Sequence, residues 1–169
     1  MWKNINALRE QGYEIDSVTN RGYRLVSRPD ALTPAEISRD LGTRRLGRKL
    51  FCRDSVDSTN EEAKRSALAG APDGSVFVAE RQTGGKGRLG RAWSSPSGTG
   101  LWFSILLRPG SIPAHISTVT LLAGCAVRDA VAARTDCPAM IKWPNDVVIG
   151  SRKVCGILTE MSAEMERVE

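Results

Sequence analysis

The chain is poor in the residues that enzymes commonly use as nucleophiles, bases and metal ligands. Its 169 residues contain one histidine, His115, and four cysteines, none of them in a C-x-x-C pair. This scarcity argues against a zinc site and against a Ser-His or Cys-His nucleophile system. The cysteines are predicted to be reduced thiols, because dense disulfide frameworks belong to small secreted domains.

Long apolar runs are also missing, as is a secretory signal pattern at the start of the sequence. We therefore expect a cytoplasmic protein with no membrane partner. Lys and Arg outnumber Asp and Glu by 24 to 19, which leaves a formal net charge of +5. This excess favours anionic partners without selecting one.

The most informative segment that is present is a glycine-rich loop after an apolar, strand-like run. It reads Gln82-Thr83-Gly84-Gly85-Lys86-Gly87-Arg88-Leu89-Gly90-Arg91-Ala92-Trp93. Glycine lets a backbone come close to a ligand, and Lys and Arg donate to phosphate or carboxylate oxygens. With a tryptophan ring at its end, the loop predicts an anionic, partly aromatic ligand, and a nucleotide is the first hypothesis.

Two common phosphate-binding motifs do not fit this loop. Gly85-x-Gly87-x-x-Gly90 matches the dinucleotide fingerprint, but that motif needs a helix at its last glycine. Residues 94–100 are too rich in Ser, Pro and Gly to form one, and no Gly-Lys-Ser/Thr of a Walker A loop is present. An Arg/Gly loop that binds RNA without sequence preference remains the alternative.

Ser58-Thr59-Asn60 places three hydrogen-bonding side chains at a predicted helix start. They can hold a neutral polar ligand group, or they can simply cap the helix, through a Ser58/Glu61 or a Thr59/Glu62 box.

A second polar segment, Lys142-Trp143-Pro144-Asn145-Asp146, lies between two predicted strands. Lys142 suits phosphates, and Asn145 or Asp146 suits Mg²⁺ or ribose, although an ordinary Pro-Asn-Asp turn explains the pattern as well. Lys153 opens an apolar strand, where lysine normally points to solvent. A set of cations without a nucleophile favours a reaction whose barrier is charge build-up on phosphate.

The first 28 residues have the pattern of a partial winged helix-turn-helix. Apolar spacing predicts a helix over residues 2–11, and alternation over 13–18 and 23–26 predicts a hairpin with a basic tip. An arbitrary helix and hairpin packed on the main domain is the alternative. The side chains expected to meet DNA are Lys3, Asn4, Arg9 and Arg21.

Residues 29–48 are predicted to be a linker with a short helix from Pro34 to about residue 41, started by a Thr33/Glu36 capping box. Residues 49–169 predict an α+β domain, a mixed and mostly antiparallel sheet with helices on one face. Its predicted helices end near residue 69 and cover 116–131, and its predicted strands are 49–53, 75–81, 101–107, 140–142, 147–149 and 153–161.

In order and spacing, these motifs and Lys153-Val154-Cys155-Gly156-Ile157-Leu158 resemble those of bacterial biotin protein ligases. Residues 2–25 resemble the recognition helix and wing of the bifunctional form, which is also the biotin operon repressor. The resemblance implies a class II synthetase-like catalytic domain. It also implies an enzyme that joins biotin and ATP, with Mg²⁺, into biotinyl-5'-AMP and then biotinylates a lysine of the biotin carboxyl carrier protein of acetyl-CoA carboxylase.

The resemblance implies a role for each matched position. Biotin binding falls to Ser58, Thr59, Asn60, Gln82, Gly85, Lys86, Gly87, Arg88 and Lys153. ATP binding falls to Arg88, Arg91, Trp93, Lys142, Asn145 and Asp146, with Asp146 as the metal ligand. Arg88, Lys142 and Lys153 are the implied catalytic residues.

The sequence departs from the family at three places. Lys86 stands where arginine is common, so it keeps the charge but lacks the bidentate fork. The family's Gly-Ile-Gly-Ile-Asn strand with its small β-barrel domain, and its first two DNA-binding helices, have no counterpart here. The chain is therefore expected to be truncated at both ends, from a parent that binds operator DNA and can form a homodimer. A lipoate ligase of the same fold and a repressor fragment without catalysis are the alternatives.

Overall fold

The computed structural model describes residues 2–18, 21–109 and 116–161. The chain divides into two compact units, Met1–Arg39 and Asp40–Glu169. Part of the predicted hairpin turn, Thr19-Asn20, and His115 lie outside the described residues. No helix in the described ranges has the length and apolar character needed to cross a membrane.

The first unit contains a helix, an antiparallel hairpin and a second short helix. Helix α1 (Trp2–Glu10) precedes the strands β1 (Glu14–Val18) and β2 (Gly22–Ser27), and helix α2 (Pro34–Ser38) follows. None of the described residues of this unit is buried. The predicted helix and hairpin are therefore present, without an interior of their own among these residues.

Polar contacts hold the first unit together. The Arg9 guanidinium donates to the Ile15 carbonyl, with Nε 3.1 Å from the oxygen, so this predicted DNA-binding side chain ties α1 to the hairpin. Thr33 caps α2 as predicted, accepting the Glu36 N–H at 3.2 Å. The Glu36 carboxylate instead accepts from the Tyr13 hydroxyl at 2.6 Å, and this hydrogen bond lowers the pKa of Glu36.

The second unit contains two three-stranded sheets. The first, with the order β3-β4-β5, is built from β3 (Leu50–Val56), β4 (Val76–Gln82) and β5 (Trp102–Ile105). Strands β3 and β4 are parallel and β5 is antiparallel to β4. A parallel pair needs a crossover connection, which here contains helix α3 (Thr59–Leu68), packed on β4 and β5.

The main apolar cluster lies between α3 and the first sheet. Phe77 is 1% exposed and stacks on Phe51 with ring centroids 4.7 Å apart, and Ala63 of α3 belongs to the same cluster. Cross-strand partners share a face of a sheet. Ser104, the partner of Phe77, therefore also faces α3, although it lies in an apolar strand.

The second sheet is an antiparallel meander of β6 (Ala139–Lys142), β7 (Asp146–Ile149) and β8 (Arg152–Gly156), packed against helix α4 (Ile116–Ala132). Fully buried Val147 marks the covered face. Because side chains alternate along a strand, the neighbouring Asp146 and its cross-strand partner, at the end of β6, lie on the opposite, open face.

A β-bulge in β8 decides which face Lys153 occupies. Asp146 pairs with Gly156 and Val148 pairs with Lys153, so β8 uses one extra residue, Val154, over this stretch. In a regular strand, positions 153 and 156 would point to opposite faces. The bulge re-aims Lys153 toward the face of Gly156 and Asp146.

Several predicted boundaries are wrong. Strand β8 ends at Gly156 instead of residue 161, because its partner β7 begins opposite it, at Asp146. Strand β5 covers only Trp102–Ile105 and α2 ends at Ser38. The strands predicted as one mixed sheet form, within the described residues, one mixed and one antiparallel sheet.

Substituting Phe77→Ala is expected to destabilise the second unit by about 3–5 kcal/mol, because it removes a buried ring that stacks on Phe51. Urea unfolding followed by circular dichroism measures the loss. Phe103→Ala on neighbouring β5 is the matched control, since Phe103 is 42% exposed and should lose clearly less stability. Equal losses would contradict this placement of the core.

Candidate active site

The side chain of Gln82 joins the end of β4 to the start of α3. Its Oε1 accepts from the Thr59 backbone N at 2.8 Å and from the Thr59 hydroxyl at 3.1 Å, and its Nε2 donates to Ser95 Oγ at 2.8 Å. Ser104 donates to Thr59 Oγ1 at 2.8 Å. Four polar side chains thus form one connected network, in which Thr59, Ser95 and Ser104 are buried.

The start of α3 is not closed by the predicted capping box. Ser58 is the N-cap residue and is buried as a residue, yet its side chain makes no capping hydrogen bond, and no described residue makes a hydrogen bond to its hydroxyl. Thr59 is engaged by Gln82, and Asn60 donates to Glu160 Oε2 at 2.7 Å. The capping prediction is therefore wrong, and the Ser58 hydroxyl is free for a ligand.

The glycine-rich loop folds back on itself as a narrow hairpin. Trp93 N donates to Gly85 O at 2.8 Å and Gly87 N donates to Arg91 O at 2.7 Å, around a tight turn at Arg88–Gly90. Gly85 is buried, and a Cβ there would lie 2.5 Å from Trp93 O. Only glycine fits such a close approach, which here occurs within the loop itself.

An ion pair ties the base of the loop to α3. Lys86 Nζ lies 2.8 Å from Glu61 Oε1, in the first turn of the helix. Lys64 Nζ lies 3.3 Å from the same oxygen and 3.2 Å from Glu160 Oε1. The hydrogen bonds from Lys86 and then Lys64 lower the pKa of Glu61. A ligand that reaches Lys86 therefore meets a cation that already has a carboxylate partner.

The hairpin of β6 and β7 supplies a second polar cluster. Lys142 and Asp146 are cross-strand partners and share the open face of the second sheet. The turn between them contains the cis peptide Trp143–Pro144. Asn145 Oδ1 accepts from Arg88 Nη1 at 3.2 Å, so this turn touches the tip of the glycine-rich loop.

Lys153 reaches both the loop and the second sheet. Its Nζ lies 2.6 Å from Asp146 Oδ1 and 4.7 Å from the centroid of the Trp93 indole ring. The contact with Asp146 is an ion pair without hydrogen-bond geometry, and no described donor makes a hydrogen bond to that buried oxygen. Lys153 therefore balances the Asp146 charge, and it does not point simply into solvent.

The structure brings the sequence motifs together, with the glycine-rich loop between α3 and the second sheet. Arg91 and Lys142 are exposed, and their side chains make no hydrogen bond or ion pair with any described residue. Sequence reasoning missed Ser95 and Ser104. Ser104 carried a usable signal, since it is the single polar residue in an otherwise apolar strand, whereas Ser95 carried none.

Comparison with known sequences identifies the protein family of this chain. The profile of the biotin/lipoate A/B protein ligase family matches residues 51–168, more than half of the sequence. The chain belongs to this family. The resemblance read from the motifs is thereby confirmed.

Two curated relatives match most of this ligase-family chain. The bifunctional ligase/repressor BirA of Bacillus subtilis (strain 168) is 42% identical over 168 residues, which cover 99% of this chain and 52% of that protein. The biotin–[acetyl-CoA-carboxylase] ligase of Mycobacterium tuberculosis is 35% identical over 143 residues, covering 79% of this chain and 54% of that protein. The chain spans about half the length of these curated relatives.

Solved structures agree with the sequence relatives. A biotin protein ligase from Aquifex aeolicus, in complex with biotin and ATP, has a TM-score of 0.62 and 41% identity over 68% of this chain and 47% of its own. A Leishmania major biotin protein ligase in complex with biotin has a TM-score of 0.57 and 26% identity over 69% and 52%. These matches confirm the α+β fold with a mixed sheet.

The Glu61 carboxyl is expected to titrate below its ordinary range, because Lys86 and Lys64 stabilise its charged form. A depressed pKa adds stability above the unfolded pKa, and this stability is lost as the pH falls below about 4.3 through the folded pKa. Titration of ¹³C-labelled glutamate carboxyls by NMR measures the midpoint, which Lys86→Met should raise.

Lys49→Met is the control for this titration, since Lys49 lies over the Phe51 ring and not beside Glu61. It should leave the Glu61 midpoint unchanged. An unchanged midpoint in Lys86→Met as well would mean that the loop is not tied to α3 in solution.

Proposed function

We propose that this family member is an ATP-dependent biotin protein ligase. A biotin carboxylate oxygen attacks the α-phosphorus of ATP, forming biotinyl-5'-AMP as the bond to pyrophosphate breaks. A lysine amine of the biotin carboxyl carrier protein of acetyl-CoA carboxylase then attacks the acyl carbon. The amine loses a proton as the amide forms, and AMP leaves.

The observation that carries this proposal is the convergence of cations on one open region, whose described residues include no Ser-His or Cys-His pair. Arg88 of the loop contacts Asn145 of the second sheet, and Lys153 of that sheet contacts Trp93 of the loop. Fixed cations of this kind stabilise negative charge that grows on phosphate and pyrophosphate oxygens. Arg88 and Lys142 meet the phosphates, and Lys153 meets the biotin carbonyl.

The remaining site residues bind rather than react. Biotin's neutral head lies against Ser58, Thr59, Asn60 and Gln82, where the Ser58 hydroxyl is free and the other groups are held in one network. Gly85, Lys86, Gly87 and Arg88 wrap the acyl-phosphate. The nucleotide is bound by Arg91, Trp93, Asn145 and Asp146.

Mg²⁺ fits this site as a companion of ATP. It usually binds through one or two carboxylates together with substrate phosphates. Asp146 Oδ1 is a buried oxygen without a hydrogen-bond donor, and the Lys153 ammonium, 2.6 Å away, would have to move aside for the ion. The described residues contain no cluster of three His, Cys, Asp or Glu side chains that would form a separate metal site. Bound with ATP, the ion neutralises phosphate charge.

Biotin-dependent exchange of labelled pyrophosphate into ATP tests the proposal on this chain. Arg88→Ala should slow the exchange by about 100-fold or more, because a cation aimed at the transition-state charge is lost. Arg134→Ala is the matched control, since Arg134 is exposed just beyond the end of α4. The proposal fails if exchange never depends on biotin, and exchange that depends on lipoate instead would identify a lipoate ligase.

We also propose a second function, repression of biotin genes, carried by the first unit. Similarity to a protein named ligase/repressor extends over 99% of this chain and so includes that unit. In this proposal α1 is the recognition helix of a winged helix and the β1-β2 hairpin is the wing. Lys3, Asn4 and Arg21 contact operator DNA, and Arg9 holds the wing against α1. A palindromic operator calls for a homodimer.

Binding of a labelled operator fragment, with biotin and ATP present, tests the second function. Lys3→Ala and Arg21→Ala should each weaken binding and lower the slope of log affinity against log salt by about 1, as expected for one lost phosphate contact. Lys49→Ala in the second unit is the control. If Lys3→Ala and Arg21→Ala bind the operator as tightly as Lys49→Ala does, this surface does not contact DNA.

A further inference from the structure

Gly156 closes β8 opposite Asp146 and is exposed on the open face of the second sheet. Its backbone does not adopt the left-handed conformation that favours glycine. Alanine could therefore follow the same backbone path. The reason for a glycine at this position lies in the space around its Cα.

That space is filled by the end of the Lys153 side chain. A Cβ at position 156 would lie 2.7 Å from Lys153 Cε, 2.8 Å from Lys153 Nζ and 3.0 Å from Cη2 of Trp93. The same ammonium lies 2.6 Å from Asp146 Oδ1. We call this space the lysine slot: Gly156 is its floor, the Trp93 ring is its wall, and the Asp146 carboxylate is its end.

We propose that Gly156 is a positioning residue for Lys153, acting through the side chain that it lacks. The bulge at Val154 turns Lys153 to the open face, and the missing Cβ then lets the ammonium settle between the indole ring and Asp146. Any side chain at position 156 expels the ammonium from the slot. The consequence for ligands rests on the proposed function, whereas the slot itself does not.

A Cβ at position 156 should have little effect on the stability of the fold and a large effect on the position of the Lys153 ammonium. The two shortest contacts are to the far end of a flexible lysine and not to backbone. The lysine can swing into the open face, so Gly156→Ala should remain folded. Gly156→Ala should, however, leave the Lys153 ammonium without a fixed position. A cation binds an anionic group well only when its position is fixed.

The slot can be tested without any ligand by NMR of the protein labelled at the lysine Cε atoms. A methylene beside an indole face is shifted upfield by the ring current, so the signal that Lys153→Arg removes should be displaced. Among the other five lysines, Lys49 also lies over an aromatic ring, that of Phe51 at 5.7 Å, so Lys49→Met identifies its signal separately. The displacement of the Lys153 signal should be lost in Gly156→Ala. It should persist in the matched control Gly42→Ala, where a Cβ meets nothing within 4 Å on an ordinary backbone.

A displaced Lys153 signal that survives in Gly156→Ala would overturn the proposal, as would the absence of a displaced Lys153 signal in the native chain. An unfolded Gly156→Ala would overturn it too, because the two shortest contacts of the added Cβ are with the movable end of Lys153.

A double-mutant cycle tests whether Gly156 acts through Lys153. Gly156→Ala should raise the Kd for biotin about tenfold, the scale of one charge-assisted hydrogen bond. Made in a Lys153→Ala background, the same change should cost less than about twofold. Equal costs in both backgrounds would show that Gly156 acts independently of Lys153. If the native chain shows no biotin-dependent exchange, the proposed function fails. The NMR result still shows whether Gly156 positions Lys153.

Discussion

The carboxamide of Gln82 is the contact on which the arrangement of the site most depends. Its oxygen accepts both donors of Thr59 and its nitrogen donates to Ser95, so one side chain fixes the start of α3 against the end of β4 and the segment after the loop. The partners Thr59 and Ser95 are buried, so both ends of this partly buried amide are needed to satisfy them. The helix start, the sheet and the loop can therefore not shift independently.

A second feature is that several cations of the site already have partners. Lys86 is paired with Glu61, Lys153 with Asp146, and Arg88 donates to Asn145. Without such partners, like charges gathered in one place would repel one another in the absence of ligand. An anionic ligand at this site would have to replace these partners, which would favour ligands that offer several oxygens at fixed spacing over a single free anion.

Much of the local structure could be predicted from the sequence, because it depends on neighbouring residues. Apolar periodicity located α4, and the Thr33 cap located the start of α2. The motifs located the candidate ligand groups. What could not be predicted depends on pairing across the chain: the parallel register of β3 with β4, the bulge at Val154 and the carboxylate partners of the cations. Lys153 shows the difference most clearly, since its position in an apolar strand suggested solvent and one extra residue in β8 turned it to the open face.

The parallel pairing of β3 with β4 has a consequence for how the protein is made. Leu50 meets Val76 only after the whole α3 crossover has been synthesised, so this sheet cannot begin as a local hairpin. Non-local pairings of this kind slow folding, because the entropy of closing a chain loop is lost before stabilising contacts form. Ser58, Thr59 and Asn60 lie inside that crossover. During synthesis Thr59 therefore cannot meet Gln82 and Ser104 until this sheet has closed.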